Sequence, residues 1–201
     1  MMEPIKLDLG CGHAKREGFL GIDCFKGDQV DMVIDLFGTL SHPPDKIGVS
    51  QTEGLENLLE FFGEDTVDYI HSHHTIEHCP WKTVYRVING WVKALKPGGT
   101  ILLTCPDLGW LCNAYVNGDW DIRYEHEHGN LLPAVFGNNL DEGHFEGLRH
   151  AGGFDYKLLH SYLTDMGMTN IRRLKQSEFV AYATWELAIK AEKADDTSST
   201  E

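Results

Sequence analysis

The stretch "KLDLGCGHAKREGFLGIDCF", Lys6–Phe25, decides the fold. An apolar run from Ile5 to Leu9 ends in a glycine turn, and a second run from Phe19 closes on Asp23. Short apolar runs bounded by turn residues read as buried strands. A glycine turn directly after such a strand is where open α/β sheets bind ligands. Only nine residues, Gly10 to Gly18, separate the two runs, fewer than the dozen usual for a parallel crossover. Fully extended they reach about 30 Å, against roughly 17 Å for one strand. The spacing therefore predicts a first crossover that is a loop with at most one helical turn, and a ligand site more open on that edge.

The turn rules out two common phosphate binders. A dinucleotide fingerprint needs a third glycine and an acid about twenty residues on, whereas Lys15 stands where the third glycine would be and Asp23 follows Gly12 closely. A P-loop needs a Lys-Ser/Thr pair that is missing here. Asp8-Leu9-Gly10-Cys11-Gly12, with Asp23 and Asp35 ending the next two strands, suits a ligand without phosphates. Glycines admit the backbone close to it, Asp23 can take both ribose hydroxyls, and Asp8 can receive an ammonium directly or through water. S-adenosyl-L-methionine has those groups.

Outward from the turn, strands are expected at Ile5–Leu9, Phe19–Asp23, Val30–Ile34, Val67–Ser72 and Thr100–Cys105. "TEGLENLLEFFG" presents apolar residues 55, 58, 59 and 62 with a helical period and stops at Gly63. "PWKTVYRVINGWVKALKPGG" places Trp81, Val84, Tyr85, Ile88, Val92 and Leu95 on one expected helix face. After Cys105 the pattern is lost for some forty residues, and 107–153 reads as a lid or acceptor-binding insertion. A helix from Tyr156 to Met166 precedes two closing strands, Thr169–Leu174 and Phe179–Ile189. The short link Lys175–Glu178 makes them an antiparallel hairpin. The expected fold is α/β, a Rossmann-like, mostly parallel seven-stranded sheet with an antiparallel last strand and a shortened first crossover. One domain is expected over 1–190, with 191–201 a disordered acidic tail.

Composition narrows the partners. With 31 acidic against 17 basic residues in 201, the net charge of −14 argues against nucleic acid, whose binding rests on neutralising phosphates. No run is long and apolar enough to span a bilayer, and "MMEPIK" carries no leader pattern. A cytoplasmic location is expected. Five cysteines without regular spacing suggest neither a disulfide framework nor a zinc knuckle.

In order along the chain, "LDLGCG", "GFLGID", "DMVIDL", "VDYIHSHHTIEHC" and "LKPGGTILLTCPD" resemble the class I S-adenosylmethionine-dependent methyltransferases, and among them small bacterial and phage relatives of the type-11 group. The resemblance covers residues 5 to 107 well and 154 to 189 more loosely. It implies that Asp8, Gly10, Cys11, Gly12, Asp23, Cys24, Asp35, Leu36, His73 and His74 hold the cofactor. In that reading Asp23 binds the ribose, Asp35 and the Leu36 N–H address the adenine, and His73 and His74 flank the methionine part. Asp107, Arg149 and His150 are placed toward the acceptor.

"IHSHHTIEHC" carries four histidines within a few residues. A metal cluster, a Glu77/His78 helix cap and an acid/base role for His74 or His78 are all open, and no metal site is assigned. His126, His128, His144, Arg149 and His150 gather in the insertion, beside Trp110, Tyr115, Trp120 and Tyr124, which are expected to pack the lid. If the acceptor is a hydroxyl, His74, His78 or His150 would take its proton. The expected activity is methyl transfer to a small-molecule or glycan-like acceptor. A non-catalytic S-adenosylmethionine-binding protein, a transferase using the decarboxylated cofactor and a metal-dependent hydrolase are the competing readings. The oligomeric state stays open, a homodimer included.

Overall fold

A computed structural model describes residues 3–37, 58–119, 121–124, 127–137, 149–179 and 183–195, without the side chains of 121–124 and 127–130. The first half runs β1 (Lys6–Leu9), β2 (Leu20–Asp23), β3 (Met32–Val33), α1 (Leu58–Phe62), β4 (Val67–His73), α2 (Val84–Ala94) and β5 (Leu95–Pro106). The insertion holds α3 (Leu108–Asn117), β6 (Asp121–Tyr124), β7 (Glu127–Asn130) and α4 (Leu131–Phe136). The chain closes with α5 (Tyr156–Asp165), β8 (Met168–Arg173) and β9 (Glu186–Lys193). Seven strands form one sheet in the order β3-β2-β1-β4-β5-β9-β8, and β6 pairs with β7 apart from it. Neighbours from β3 to β5 pair in parallel, whereas β9 runs antiparallel to both β5 and β8. Among the described residues no helix is long and apolar enough to cross a membrane.

Strand residues alternate between the two faces of a sheet, and here the faces differ in chemistry. Leu7, Leu9, Ile70, Ile101, Leu103, Leu187 and Ile189 enter the main core, which is closed by Leu58 of α1, Val84, Ile88 and Trp91 of α2, and Leu159 and Leu163 of α5. The alternate positions, Asp8, His71, His73 and Thr104, are polar. On that side Phe19 meets Tyr69 edge-on at 5.4 Å, and Leu102, Leu174 and Ala188 form a small cluster with Phe179.

The first crossover is a loop of turns with no helix, as its spacing predicts. Side chains and the β2 backbone satisfy its N–H groups: Arg16 N donates to Asp8 Oδ2 at 2.7 Å, and Gly10 N donates to Ile22 O at 2.7 Å. Asp31 accepts from Gly21 N and pairs with Lys15, both within 2.8 Å. A loop tied down at both ends in this way does the work of a helix without its length.

Several expectations need correction. The stretch after Cys105 contains α3, capped by Asp107 at its start and by Gly118 in the left-handed conformation at its end, followed by β6, β7 and α4. An apolar stripe of Leu111 and Ala114 against Leu131 and Ala134 builds this small core together with Trp185, a contact visible only once the chain has folded. The last strand starts at Glu186 rather than Phe179, and a 3₁₀ turn at Gln176–Glu178 occupies the expected link. It runs on to Lys193, so the first residues assigned to the tail are paired strand. Trp81 and Tyr85 are exposed, and Val87 and Trp91 take their places on the buried face of α2. Residue 55, Trp120, His126, His144 and 196–201 lie outside the described residues, as does the side chain of His128.

Candidate functional site

The site begins where the β1 turn meets the chain leaving β4. Gly10 has φ +71°, and a Cβ on it would stand 2.1 Å from Thr75 Oγ1. The Thr75 hydroxyl lies 3.0 Å from the Leu9 carbonyl and 3.1 Å from that of His73. Only glycine accommodates both the left-handed backbone and this approach. The turn also fixes Asp23: Gly12 N donates to Oδ2 at 2.9 Å and Phe25 N to Oδ1 at 3.0 Å. A carboxylate has about four acceptor positions, so two backbone bonds hold it in place and leave capacity for a diol. Asp35 receives the N–H of Phe37 at 3.0 Å, beside buried Leu36. Burial, with Asp23 and Asp8 nearby, pushes the Cys11 thiol up to about 12. Burial and Asp23 push Cys24 up as well, so neither cysteine is a nucleophile.

Asp8 is buried, and its Oδ1 lies 2.7 Å from His71 Nδ1. It borders a cavity of about 350 Å³ lined by Asp8, Gly10, Cys11, Ala14, Arg16, His71, His73, Thr104 and Phe179. His73 bonds Thr104 through Nδ1. Burial, and then His74 and His71, drive its pKa down to about 3, so it is neutral. Asp8, Gly10, Cys11 and His73 thus meet at one cavity, which Gly12, Asp23, Cys24, Asp35 and Leu36 do not line. A carboxylate, a left-handed glycine turn and neutral imidazole around a cavity of this size fit the amino-acid end of S-adenosylmethionine.

His74 has φ +49°, an uncommon backbone for a non-glycine residue. Its Nδ1 lies 2.9 Å from Glu77 Oε1 and its Nε2 lies 3.0 Å from Glu186 Oε1. Burial lowers its pKa, but hydrogen bonds to Glu186 and Glu77 outweigh burial and raise it to about 9. Glu77 is fully buried, which favours its neutral form, yet His74 holds it below the usual carboxylate range. His74 is thus a cation bridging two acids, with both ring nitrogens engaged.

On the other side of Glu77, His78 Nδ1 donates to the Arg149 carbonyl at 3.1 Å. In the neutral ring the lone pair then sits on Nε2. The ring of His150 meets that of His78 edge-on at 5.1 Å, and burial lowers its pKa. The strap carrying it is fixed by Ala151 N and Gly152 N on the Glu77 carbonyl and by His150 N on Phe136 O. Arg149 is exposed. Asp107 is buried, with each oxygen engaged: Oδ1 caps α3 at Trp110 N, 3.1 Å, and Oδ2 pairs with Arg173 at 2.6 Å.

The structure thus brings His78, Arg149 and His150 together and sets Asp107 apart as a cap and ion-pair acceptor. The sequence reading missed Glu186 and His71. A glutamate heading the apolar "LAIK" strand was the available signal for the first, since a charge there must be exposed or paired. The alternation of His71 and His73 along one strand was the signal for the second.

Residues 7–103 match the family described as "Methyltransferase domain". No curated protein sequence matches the chain. A methyltransferase from Archaeoglobus fulgidus, described as S-adenosylmethionine-dependent, is 16% identical, with a TM-score of 0.52, covering 94% of this chain and 86% of that one. Another so described, from Methanosarcina mazei, is 19% identical, with a TM-score of 0.54 over 98% of this chain and 95% of that one. Human N-acetylserotonin methyltransferase, solved in complex with S-adenosylmethionine, is 14% identical, with a TM-score of 0.50 over 95% of this chain and 48% of that chain. These structures share the fold.

Proposed function

We propose that this chain, whose residues 7–103 match a methyltransferase domain, is a class I S-adenosylmethionine-dependent methyltransferase and that it methylates a hydroxyl of a small-molecule or glycan-like acceptor. The observation that carries the proposal is the pair His78 and His150, two imidazoles in contact at 5.1 Å. His78 has its Nε2 lone pair fixed by the Arg149 carbonyl. Its methyl donor in this reading is S-adenosyl-L-methionine, supported by the match to a methyltransferase domain.

In this reading Asp23 takes the ribose hydroxyls with the acceptor positions its two backbone bonds leave. Asp35 and the Leu36 N–H address the adenine, and Cys24 packs beside them. Asp8 takes the ammonium, and the Gly10–Gly12 turn with Cys11 and His73 encloses the methionine part. When bound, S-adenosylmethionine supplies an electrophilic methyl on a sulfonium leaving group. The chain then has to align an acceptor, exclude water and remove one proton. His74 is unsuited to the last task, because its nitrogens are committed to Glu77 and Glu186. His78 Nε2 or His150, held neutral by burial, takes the proton. Arg149, exposed beside them, orients a polar acceptor. The net charge of −14 repels polyanions and favours neutral or cationic acceptors.

Calorimetric titration of the wild type with S-adenosylmethionine and S-adenosylhomocysteine tests the cofactor half of the proposal. Binding of neither would end it. Turnover of a panel of hydroxylated small molecules and oligosaccharides, followed by S-adenosylhomocysteine release, tests the acceptor half. His150→Ala and His78→Gln should each lower kcat by roughly 10²-fold or more while cofactor affinity stays unchanged. Unchanged kcat in both variants would remove the proton-acceptor role.

A further inference from the structure

Glu77, His78 and His150 each offer one ligand atom, and these atoms all lie within 4.8 Å of one another. Glu77 is 1% exposed. Its Oε1 is held by His74, whereas its Oε2 is buried and has no hydrogen-bond partner among the described residues. A buried acceptor left unsatisfied is costly, the more so when charged, so a partner for this oxygen would be strongly stabilising. His78 spends its Nδ1–H on a backbone carbonyl, the outer contact that fixes the tautomer and orientation of metal-binding histidines. His150 is carried on a strap whose backbone is bonded to Glu77 itself.

We propose that Glu77, His78 and His150 form a binding site for a divalent transition-metal ion, of the zinc class, with one carboxylate and two imidazole ligands. The neighbouring set His73, His74 and Glu186 offers the same residue types. It is the poorer candidate, because both nitrogens of His74 already face carboxylates. Imidazole and carboxylate suit zinc, and three protein ligands leave a fourth position open. Sequence spacing hides the site because His150 comes from the far end of the insertion. The two calcium- or magnesium-type alternatives would demand more oxygen ligands than the cluster offers.

The location rests on the acceptor-side reading of His78 and His150. With the ion bound, His78 and His150 give their lone pairs to it and the ion replaces them in activating the acceptor: a hydroxyl in the open position has its pKa lowered by the ion, and its proton leaves to water. The alkoxide oxygen then forms the C–O bond as the C–S bond breaks, and the electron pair departs on sulfur.

The test uses the full chain, stripped with a chelator and dialysed, without cofactor or acceptor. Titration with Zn²⁺ should show one site per chain, and Co²⁺ should give a visible d–d absorption band. His78→Gln and His150→Gln should each weaken Zn²⁺ binding by more than the roughly 10–100-fold that outer contacts are worth and abolish the cobalt band. His13→Ala, at an exposed position, should change neither. No stoichiometric Zn²⁺ binding, or equal binding by wild type and both Gln variants, overturns the proposal. Circular dichroism confirms that the variants are folded, and His78→Asn and His150→Asn replace any Gln variant that is not. S-adenosylmethionine titration of the same samples separates the two readings: cofactor binding without metal overturns only the metal site, and metal binding without cofactor overturns only the methyl-transfer reading.

Discussion

His74 Nε2 stands 3.0 Å from Glu186 Oε1, a contact that joins the chain leaving β4 to the first residue of β9 across 112 positions. With Glu77 Oε1 at 2.9 Å on Nδ1, the imidazolium ties the turn that carries Glu77 and His78 to the antiparallel end of the sheet. A buried charge is tolerated here because it is paired on both sides.

Stability should peak near pH 6.5 to 7. His74, raised to about 9, contributes fully below its unfolded value of about 6.5 and loses that contribution as the pH rises through 9. His73, lowered to about 3, contributes above that same unfolded value and loses it as the pH falls toward 3. Thermal melts from pH 5 to 10 should show an alkaline loss on the order of 3 kcal/mol. His74→Gln should flatten the alkaline limb. An unchanged limb would refute the bridging role.

Asp23→Ala should weaken S-adenosylmethionine and S-adenosylhomocysteine alike by roughly 10–100-fold, the worth of one or two hydrogen bonds to a charged group. Calorimetry reads this directly. Equal affinity in wild type and variant would show that the ribose does not lie on Asp23.

Gly10→Ala sets a Cβ 2.1 Å from Thr75 Oγ1 at φ +71°. Denaturant unfolding should register a loss of about 3 kcal/mol, combining overpacking with a strained backbone. Adding Thr75→Ala removes the Oγ1 and Cγ2 contacts but leaves the residue-75 Cβ at 2.9 Å and the backbone cost, so the double variant should recover only part of the loss. Full additivity would mean that the two positions do not meet.

Asp107→Asn removes the charged partner of Arg173 while leaving an oxygen able to cap α3. The expected cost is about 1–2 kcal/mol of stability with the acceptor KM within a few-fold of wild type. A large rise in KM at unchanged stability would instead place Asp107 on the acceptor.

Most of the fold is written locally. Runs such as "KLDL" and "TILLTC" have the length and apolar content of buried strands, and Gly10 and Gly12 mark the turn between the first two of them. The span of nine residues, Gly10 to Gly18, cannot hold a normal crossover helix, so chain length itself dictates a loop. The sequence therefore determines the sheet, the turn and the identity of the acids at its strand ends.

Tertiary structure alone decides what His74, His78 and Asp107 do. All three are polar residues near strand ends, where local pattern does not distinguish a base, a ligand, a cap or a structural ion. His74 becomes a committed cation because Glu186 reaches it from the last strand. Asp107 is paired with Arg173 from β8, and His78 is oriented by the carbonyl of Arg149. In each case the deciding partner is distant in sequence, and protonation and hydrogen bonding depend on which groups share a low-dielectric interior, which only the folded chain specifies.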